Sequence, residues 1–239
     1  INCIAEDESG NFWVGTFGDG LKYFNTKTKT FTGYVSIPDD PTTLSNNYIS
    51  DILFDRKGNL WIATFYGGLN KFDFDTKSFK RFTHKADDPK SIGRSDISSL
   101  FEDSKGNLWV ATEGGGLNLM DTDKGTFTRF LHDDNDPHSL AHNDVLSLAE
   151  DNKGNLWIGT RNGGISIMSG KPGHFITLKN DESKDFTLNN NSIYSLYRDK
   201  HGNMWVGTYS GGVNFASAIG QKFRYYKHDR NDKNSLRNN

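Results

Sequence analysis

The five tryptophans of this 239-residue chain fall at Trp13, Trp61, Trp109, Trp157 and Trp205, each 48 residues after the one before. A period of that size restricts the fold to a solenoid, a propeller or a related array, because each unit must bury its apolar face against the next. Six further columns keep the same phase with one residue type throughout, beginning at Asp7, Gly10, Asn11, Thr16, Gly20 and Phe31. The unit therefore reads Asp-x-x-Gly-Asn-apolar-Trp-apolar-Gly/Ala-Thr, then a Gly and an apolar residue, then Phe eleven residues after that Gly. No insertion or deletion interrupts it.

Strand signals decide between the architectures. In the second copy ISDILFDR is followed by the turn KGN, LWIATF by YGG, and LNKFDFD by TKS before FKRFTH. These are four short segments rich in β-branched and aromatic residues, separated by turn formers. No helical periodicity or capping pattern is sustained, which argues against helical solenoids. Four strands, a to d, in 48 residues match one propeller blade. The expected fold is all-β: a β-propeller of four-stranded antiparallel blades, with blades at about 1–48, 49–96, 97–144, 145–192 and 193–239. The shared columns read as scaffold. The Asp is placed to bond amides of the a–b turn, the Gly to supply positive φ, and the Trp and Phe to fill space between neighbouring blades. Aspartates repeated once per blade do not form the close carboxylate pair that acid–base hydrolysis uses.

Charge and composition narrow the function. Lys and Arg number 28 against 30 Asp and Glu, net −2, so the basic footprint that nucleic acid needs is lacking. No run approaches the ~20 apolar residues of a membrane helix, so no membrane contact is expected of this region. The single cysteine, Cys3, excludes an internal disulfide. His84, His132 and His228 share a phase on successive outer strands and are expected to lie too far apart for one metal ion. Asp133, Asp134, Asn135 and Asp136 lack EF-hand spacing and read as a solvated turn. No cofactor, no metal and no catalytic residue is expected, and no G-x-S-x-G, H-E-x-x-H or P-loop is found. The start at Ile1, without Met or a signal-like segment, reads as a piece of a longer polypeptide.

GNLWIGT with NGGI in the fourth copy, and GNLWIAT with GGLN in the second, resemble the two-component regulator propeller repeats. The resemblance covers essentially the whole chain. Ala63 and Ala111 depart from it in the W-x-G-T string, as does Asp19 in the Gly pair. It implies the periplasmic sensor of an inner-membrane hybrid histidine kinase, in which seven-bladed propellers precede a β-sandwich and a membrane span. It also implies an oligosaccharide ligand, control of polysaccharide-utilisation genes, and a homodimer in the parent receptor. The sialidase Asp-box spaces its Asp, Gly and Trp differently.

Alternating strands place the b–c turns and d–a crossovers on one side of each blade. The a–b turns repeat, whereas the b–c turns differ: Phe17-Gly18, Phe65-Tyr66, Glu113-Gly114, Arg161-Asn162 and Tyr209-Ser210. The crossovers also vary, and diversified loops on a repeated scaffold are where binding sites are built. Phe17, Phe65, Tyr66 and Tyr209 are expected to stack on sugar rings. Arg94, Glu113, His142, Arg161 and Asn162 are expected to bond hydroxyls, with the two arginines suited also to carboxylate or sulfate. Two other readings compete: a propeller hydrolase or lyase, and a non-catalytic dimerisation scaffold. Glu113 is the single acid among these b–c positions, which favours binding over hydrolysis.

Ile1 is in phase with Ile49, and Asn239 with Asn47. The chain thus reads either as a closed five-bladed ring or as an arc of a seven-bladed one. The resemblance implies the arc, whose end blades would expose raw edges.

Overall fold

The computed structural model describes residues 1–220, 222–228, 231–232 and 234–236. Asn239, on which the ring-or-arc expectation turns, lies outside the described residues. The fold is all-β: five four-stranded antiparallel propeller blades, each with its strands in sequence order. Blade 1 comprises β1 Cys3–Glu6, β2 Phe12–Gly15, β3 Leu21–Asn25 and β4 Thr30–Tyr34. Blade 2 comprises β5 Ile49–Phe54, β6 Leu60–Thr64, β7 Gly68–Asp73 and β8 Ser78–Phe82. Blade 3 comprises β9 Ile97–Glu102, β10 Leu108–Thr112, β11 Leu117–Asp121 and β12 Thr126–Phe130. Blade 4 comprises β13 Val145–Glu150, β14 Leu156–Thr160, β15 Gly164–Met168 and β16 Phe175–Leu178. Blade 5 comprises β17 Ile193–Arg198, β18 Met204–Thr208, β19 Val213–Ala216 and β20 Phe223–Tyr226. The chain forms two compact units, Ile1–Arg129 and Phe130–Asn239.

The repeated aspartate does more than cap its turn. Asp55 Oδ1 accepts the amides of Lys57 and Asn59, while Oδ2 accepts the indole Nε1 of Trp61 at 2.8 Å. The same carboxylate-to-indole bond recurs at Asp103–Trp109, Asp151–Trp157 and Asp199–Trp205, at 2.9–3.1 Å. Each ties the a–b turn to the blade's largest side chain, so the spacing of Asp and Trp in the repeat carries a hydrogen bond as well as packing. In blade 1 the Trp13 Nε1 is buried without a hydrogen-bond partner among the described residues.

At Asp55, Asp103 and Asp151 burial pushes the carboxyl up, but the bonds from Trp, Asn and backbone amides outweigh it and hold the group below its ordinary 3.8. Asp199 is lowered as well, chiefly by Asn203 and then Trp205. A carboxyl lowered by folding contributes stability that is present above its unfolded pKa and is lost as pH falls through the folded one. Urea midpoints measured from pH 6 downward should therefore hold steady and then fall below about pH 4. A midpoint unchanged down to about pH 2.5 would contradict the role assigned to these carboxylates.

Each crossover is bonded to the blade that follows it. Leu44, Ile92, Leu140 and Leu188 occupy one phase and are all buried. The amides beside them, at Ser45, Gly93, Ala141 and Asn189, donate to the fully buried Asn70, Asn118, Ser166 and Asn214 of the following blade. Each crossover also accepts from strand d of that blade: Phe79 N bonds Thr42 O, Phe127 N bonds Lys90 O, Phe175 N bonds His138 O and Phe223 N bonds Phe186 O. Those four phenylalanines are buried beneath the crossovers. Phe31, the fifth of the column, is 66% exposed and leans on Phe24 with ring centroids 4.6 Å apart. The in-phase histidines serve the same loops. Nδ1 of His84, His132 and His228 meets the carbonyl oxygens of Ile92, Leu140 and Leu236 at 2.6–2.9 Å.

Candidate ligand-binding site

The b–c turns are fixed by their backbones, which leaves their side chains free to vary. In all five blades the threonine ending strand b donates Oγ1 to the carbonyl of the glycine four residues on, at 2.7–3.0 Å. The next amide extends the a–b ladder by one bond in blades 2 to 5: Phe65 N to Tyr48 O, Glu113 N to Asp96 O, Arg161 N to Asp144 O and Tyr209 N to Ser192 O. Further bonds reach the entrance of the following blade's first strand: Tyr66 N donates to Asp96 Oδ1 and Gly68 N to Ser95 O. Residues just before strand a thus sit beside the turns.

In unit 1 this arrangement gathers aromatic rings. Phe17 forms an isolated backbone bridge with Tyr48, and their rings lie 4.8 Å apart at 67°. Phe65 follows at 6.1 Å from Phe17, and Tyr66 at 6.4 Å from Phe65. Phe17 and Tyr66 are 70% and 75% exposed, although burial of apolar area is what ordinarily stabilises such rings. Tyr66 is held at φ 64°, a conformation that its amide bond to Asp96 helps to maintain. Exposed Arg94 and half-buried Glu113 belong to the neighbouring turn region, where the Arg94 backbone packs directly against Gly115.

In unit 2 the same positions carry polar groups in line with two tyrosines. His142 Nδ1 accepts the Asp144 amide at 3.0 Å, which leaves Nε2 as the proton-bearing nitrogen of the neutral ring. The Asp144 carboxylate lies 3.4 Å from Arg161 Nε, and Arg161 Nη1 donates to the Tyr194 hydroxyl at 3.5 Å. Tyr194 and Tyr209 are tilted rings 5.5 Å apart, 47% and 69% exposed. Asn162, at φ 63°, exchanges bonds with Ser192 through its amide nitrogen and its Oδ1, at 3.2 and 2.6 Å. This partly exposed ion pair aims the guanidinium.

Sequence reasoning took Phe17, Phe65, Tyr66, Glu113, Arg161, Asn162 and Tyr209 from the b–c turns and Arg94 and His142 from the crossovers, but missed the column immediately before strand a. Tyr48, Asp96, Asp144 and Ser192 each support a turn, and that column changes type between copies while the Ile or Val beside it stays apolar. Tyr194 was also missed. The pairing of β17 with β18 shifts register between Ile193 and Ser195, and Tyr194 occupies the extra position. Such a bulge re-aims a side chain, and here it sends the phenol toward Arg161. Equivalent shifts open β5, β9 and β13 near their starts.

Five segments match the two-component regulator propeller model: 1–18, 43–66, 91–114, 139–162 and 187–210. These segments are two-component regulator propeller repeats. After the first, each runs from the end of a crossover through strands a and b to the b–c turn, so it contains the turn and its support. Among solved structures, the extracellular domain of a hybrid two component system from B. thetaiotaomicron is 25% identical, with a TM-score of 0.78 over 98% of this chain. The repeat chain spans 31% of that protein. A second such domain from the same organism is 20% identical, with a TM-score of 0.55 over 95% of this chain and 37% of its own. Virginiamycin B lyase from Staphylococcus aureus shares the fold at 13% identity, with a TM-score of 0.67 over 95% of this chain and 70% of the lyase. The sequence matched none of the curated proteins with which it was compared.

Proposed function

We propose that this propeller is the extracytoplasmic ligand-sensing region of a hybrid two-component sensor kinase, and that its ligand is an oligosaccharide. The observation that carries the ligand class is the make-up of the b–c turns and their supports. Exposed aromatic faces suited to stacking on the apolar face of a pyranose lie beside groups suited to its hydroxyls. Phe17, Tyr48 and Tyr66 provide faces in unit 1. In unit 2 the Tyr194–Tyr209 pair adjoins the Arg161–Asp144 ion pair and His142. Likeness to the extracellular domain of a hybrid two component system supports the sensor role and a location outside the cytoplasm. Among the described residues no helix is long and apolar enough to cross a membrane. The parent receptor is proposed to sit in the inner membrane with this region in the periplasm, to dimerise, and to control genes for polysaccharide use. The region itself binds and does not hydrolyse. A thermal-shift screen against neutral, uronic and sulfated oligosaccharides tests this: at least one class should raise Tm in a concentration-dependent way with no cleaved product. Release of shortened sugars would establish an enzyme instead.

A further inference from the structure

The crossovers before blades 2 to 5 are each closed by the same amide-to-hydroxyl bond, and two of them enclose a guanidinium. In the crossover before blade 2, Arg81 of β8 donates Nε to Thr43 O and Nη2 to Asp40 O, Thr43 Oγ1 and Leu44 O, at 2.7–3.0 Å. In the crossover before blade 3, Arg129 of β12 donates Nε to Ser91 O and Nη2 to Asp88 O and Ser91 Oγ, each at 2.8 Å. The crossover before blade 4 repeats four bonds of its predecessor's framework. Asp133 N donates to Ser139 Oγ at 2.9 Å, as Lys85 N does to Ser91 Oγ. Ser139 Oγ returns to Asp133 O, Ser139 N bonds Asp136 O, and His132 Nδ1 meets Leu140 O, matching Ser91, Asp88 and the His84–Ile92 contact. The acceptors that hold Arg129 are therefore rebuilt as Asp136 O, Ser139 O and Ser139 Oγ. The strand position 48 residues after Arg129, however, is Thr177, whose short side chain cannot reach them.

The space that the arginine fills in the other copies is here a cavity of about 320 Å³, lined by Asp133, Asp134, Asp136, Ser139, Leu140 and Thr177 among others. Three carboxylates border it, against Lys179 and His132, whose Nε2 lies 3.0 Å from Asp134 Oδ1. The next crossover keeps the hydroxyl framework, with Thr187 Oγ1 accepting Asp181 N at 3.2 Å, but Lys184 replaces the acid at the Asp136 phase and Tyr225 stands at the arginine phase. The crossover before blade 4 thus keeps the acceptors without the arginine.

We propose that this cavity binds a guanidinium group supplied from outside the fold, as carried by free arginine-like amines or by an arginine side chain. The planar fork of N–H donors is what the acceptor set accommodates twice over in this same chain, and Lys or a simple cation does not reproduce that geometry. The site is independent of the oligosaccharide reading, since it uses none of the b–c turn residues.

The test is a titration of the whole chain with agmatine and with Nα-acetyl-arginine amide, read by amide chemical shifts of residues 132–141. Both should shift those amides saturably, with dissociation constants in the millimolar range. The substitution Thr177→Arg, which restores the internal donor, should weaken that binding at least tenfold and raise Tm by about 2–4 °C, while Thr177→Ala leaves binding unchanged. Absence of saturable shifts would overturn the proposal. So would equal binding by Thr177→Arg, or equal shifts with tetramethylammonium, which carries charge without N–H donors. Binding of agmatine but not of the arginine amide would uphold the site and restrict its ligands to small free amines.

Discussion

Replacing Trp61 by alanine should destabilise the protein by about 3–5 kcal/mol, the range for removing a large buried aromatic. Trp61 is completely buried within the core that blades 2 and 3 share. The more informative change is phenylalanine, because the ring remains while the indole N–H is lost. At Trp61 that N–H bonds the Asp55 carboxylate at 2.8 Å, so Trp61→Phe strips a buried charged acceptor of one partner. At Trp13, 3% exposed, the N–H has no partner among the described residues, so Trp13→Phe removes no hydrogen bond found there. Chemical denaturation should show Trp61→Phe costing about 1–3 kcal/mol more than Trp13→Phe, the usual penalty for orphaning a buried polar group. Equal losses in the two variants would mean that the repeated Asp–Trp pair acts through packing alone.

Gly164→Ala should be nearly as damaging, at upwards of about 3 kcal/mol. Gly164 opens β15 at φ +78°, where L-residues are disfavoured, and an added Cβ would fall against the Leu178 carbonyl oxygen of β16. The same backbone bonds Asn191 O through its amide at 2.8 Å, which prevents the turn from relaxing outward. Gly58 is the control. Its φ is +79°, yet a Cβ there meets nothing within 4 Å, so Gly58→Ala should lose about 1–2 kcal/mol from the left-handed conformation alone. Unfolding curves of the two variants separate conformational strain from steric conflict. Comparable losses would show that the close approach of β15 and β16 contributes nothing. Because the Gly164 turn carries Arg161 and Asn162, its distortion should also weaken any ligand held there.

The blades were legible because each shared column has a local physical cause that repeats without interruption. Asp, Gly and Asn mark a turn whatever lies around them, and alternating apolar residues mark strands whose partners are the next segments in the chain. The Asp–Trp bond was not legible, because a six-residue separation acquires meaning only after the hairpin places the indole beneath the turn. The candidate site was legible in half. Variation singled out Phe17, Tyr66 and Tyr209, which the fold exposes on b–c turns, and Arg161, which it leaves partly exposed there. Asp144 and Tyr194 escaped notice because one belongs to a crossover end and the other to a register shift, and neither has a signature until β13 pairs with β14 and β17 with β18. The histidines of the outer strands show the converse: a shared phase that invited a metal reading has a plain use in pinning crossovers to themselves.

The most direct measurement is calorimetry of an oligosaccharide that raises Tm, titrated into the unaltered chain and into Arg161→Ala and Tyr209→Ala. Both side chains are partly or largely exposed and outside the core, so both variants should keep Tm within a few degrees. Loss of at least tenfold in affinity in each, with Tm preserved, is the expected result. Unaltered affinity in both variants would contradict the assignment of the b–c turns as the oligosaccharide-binding surface.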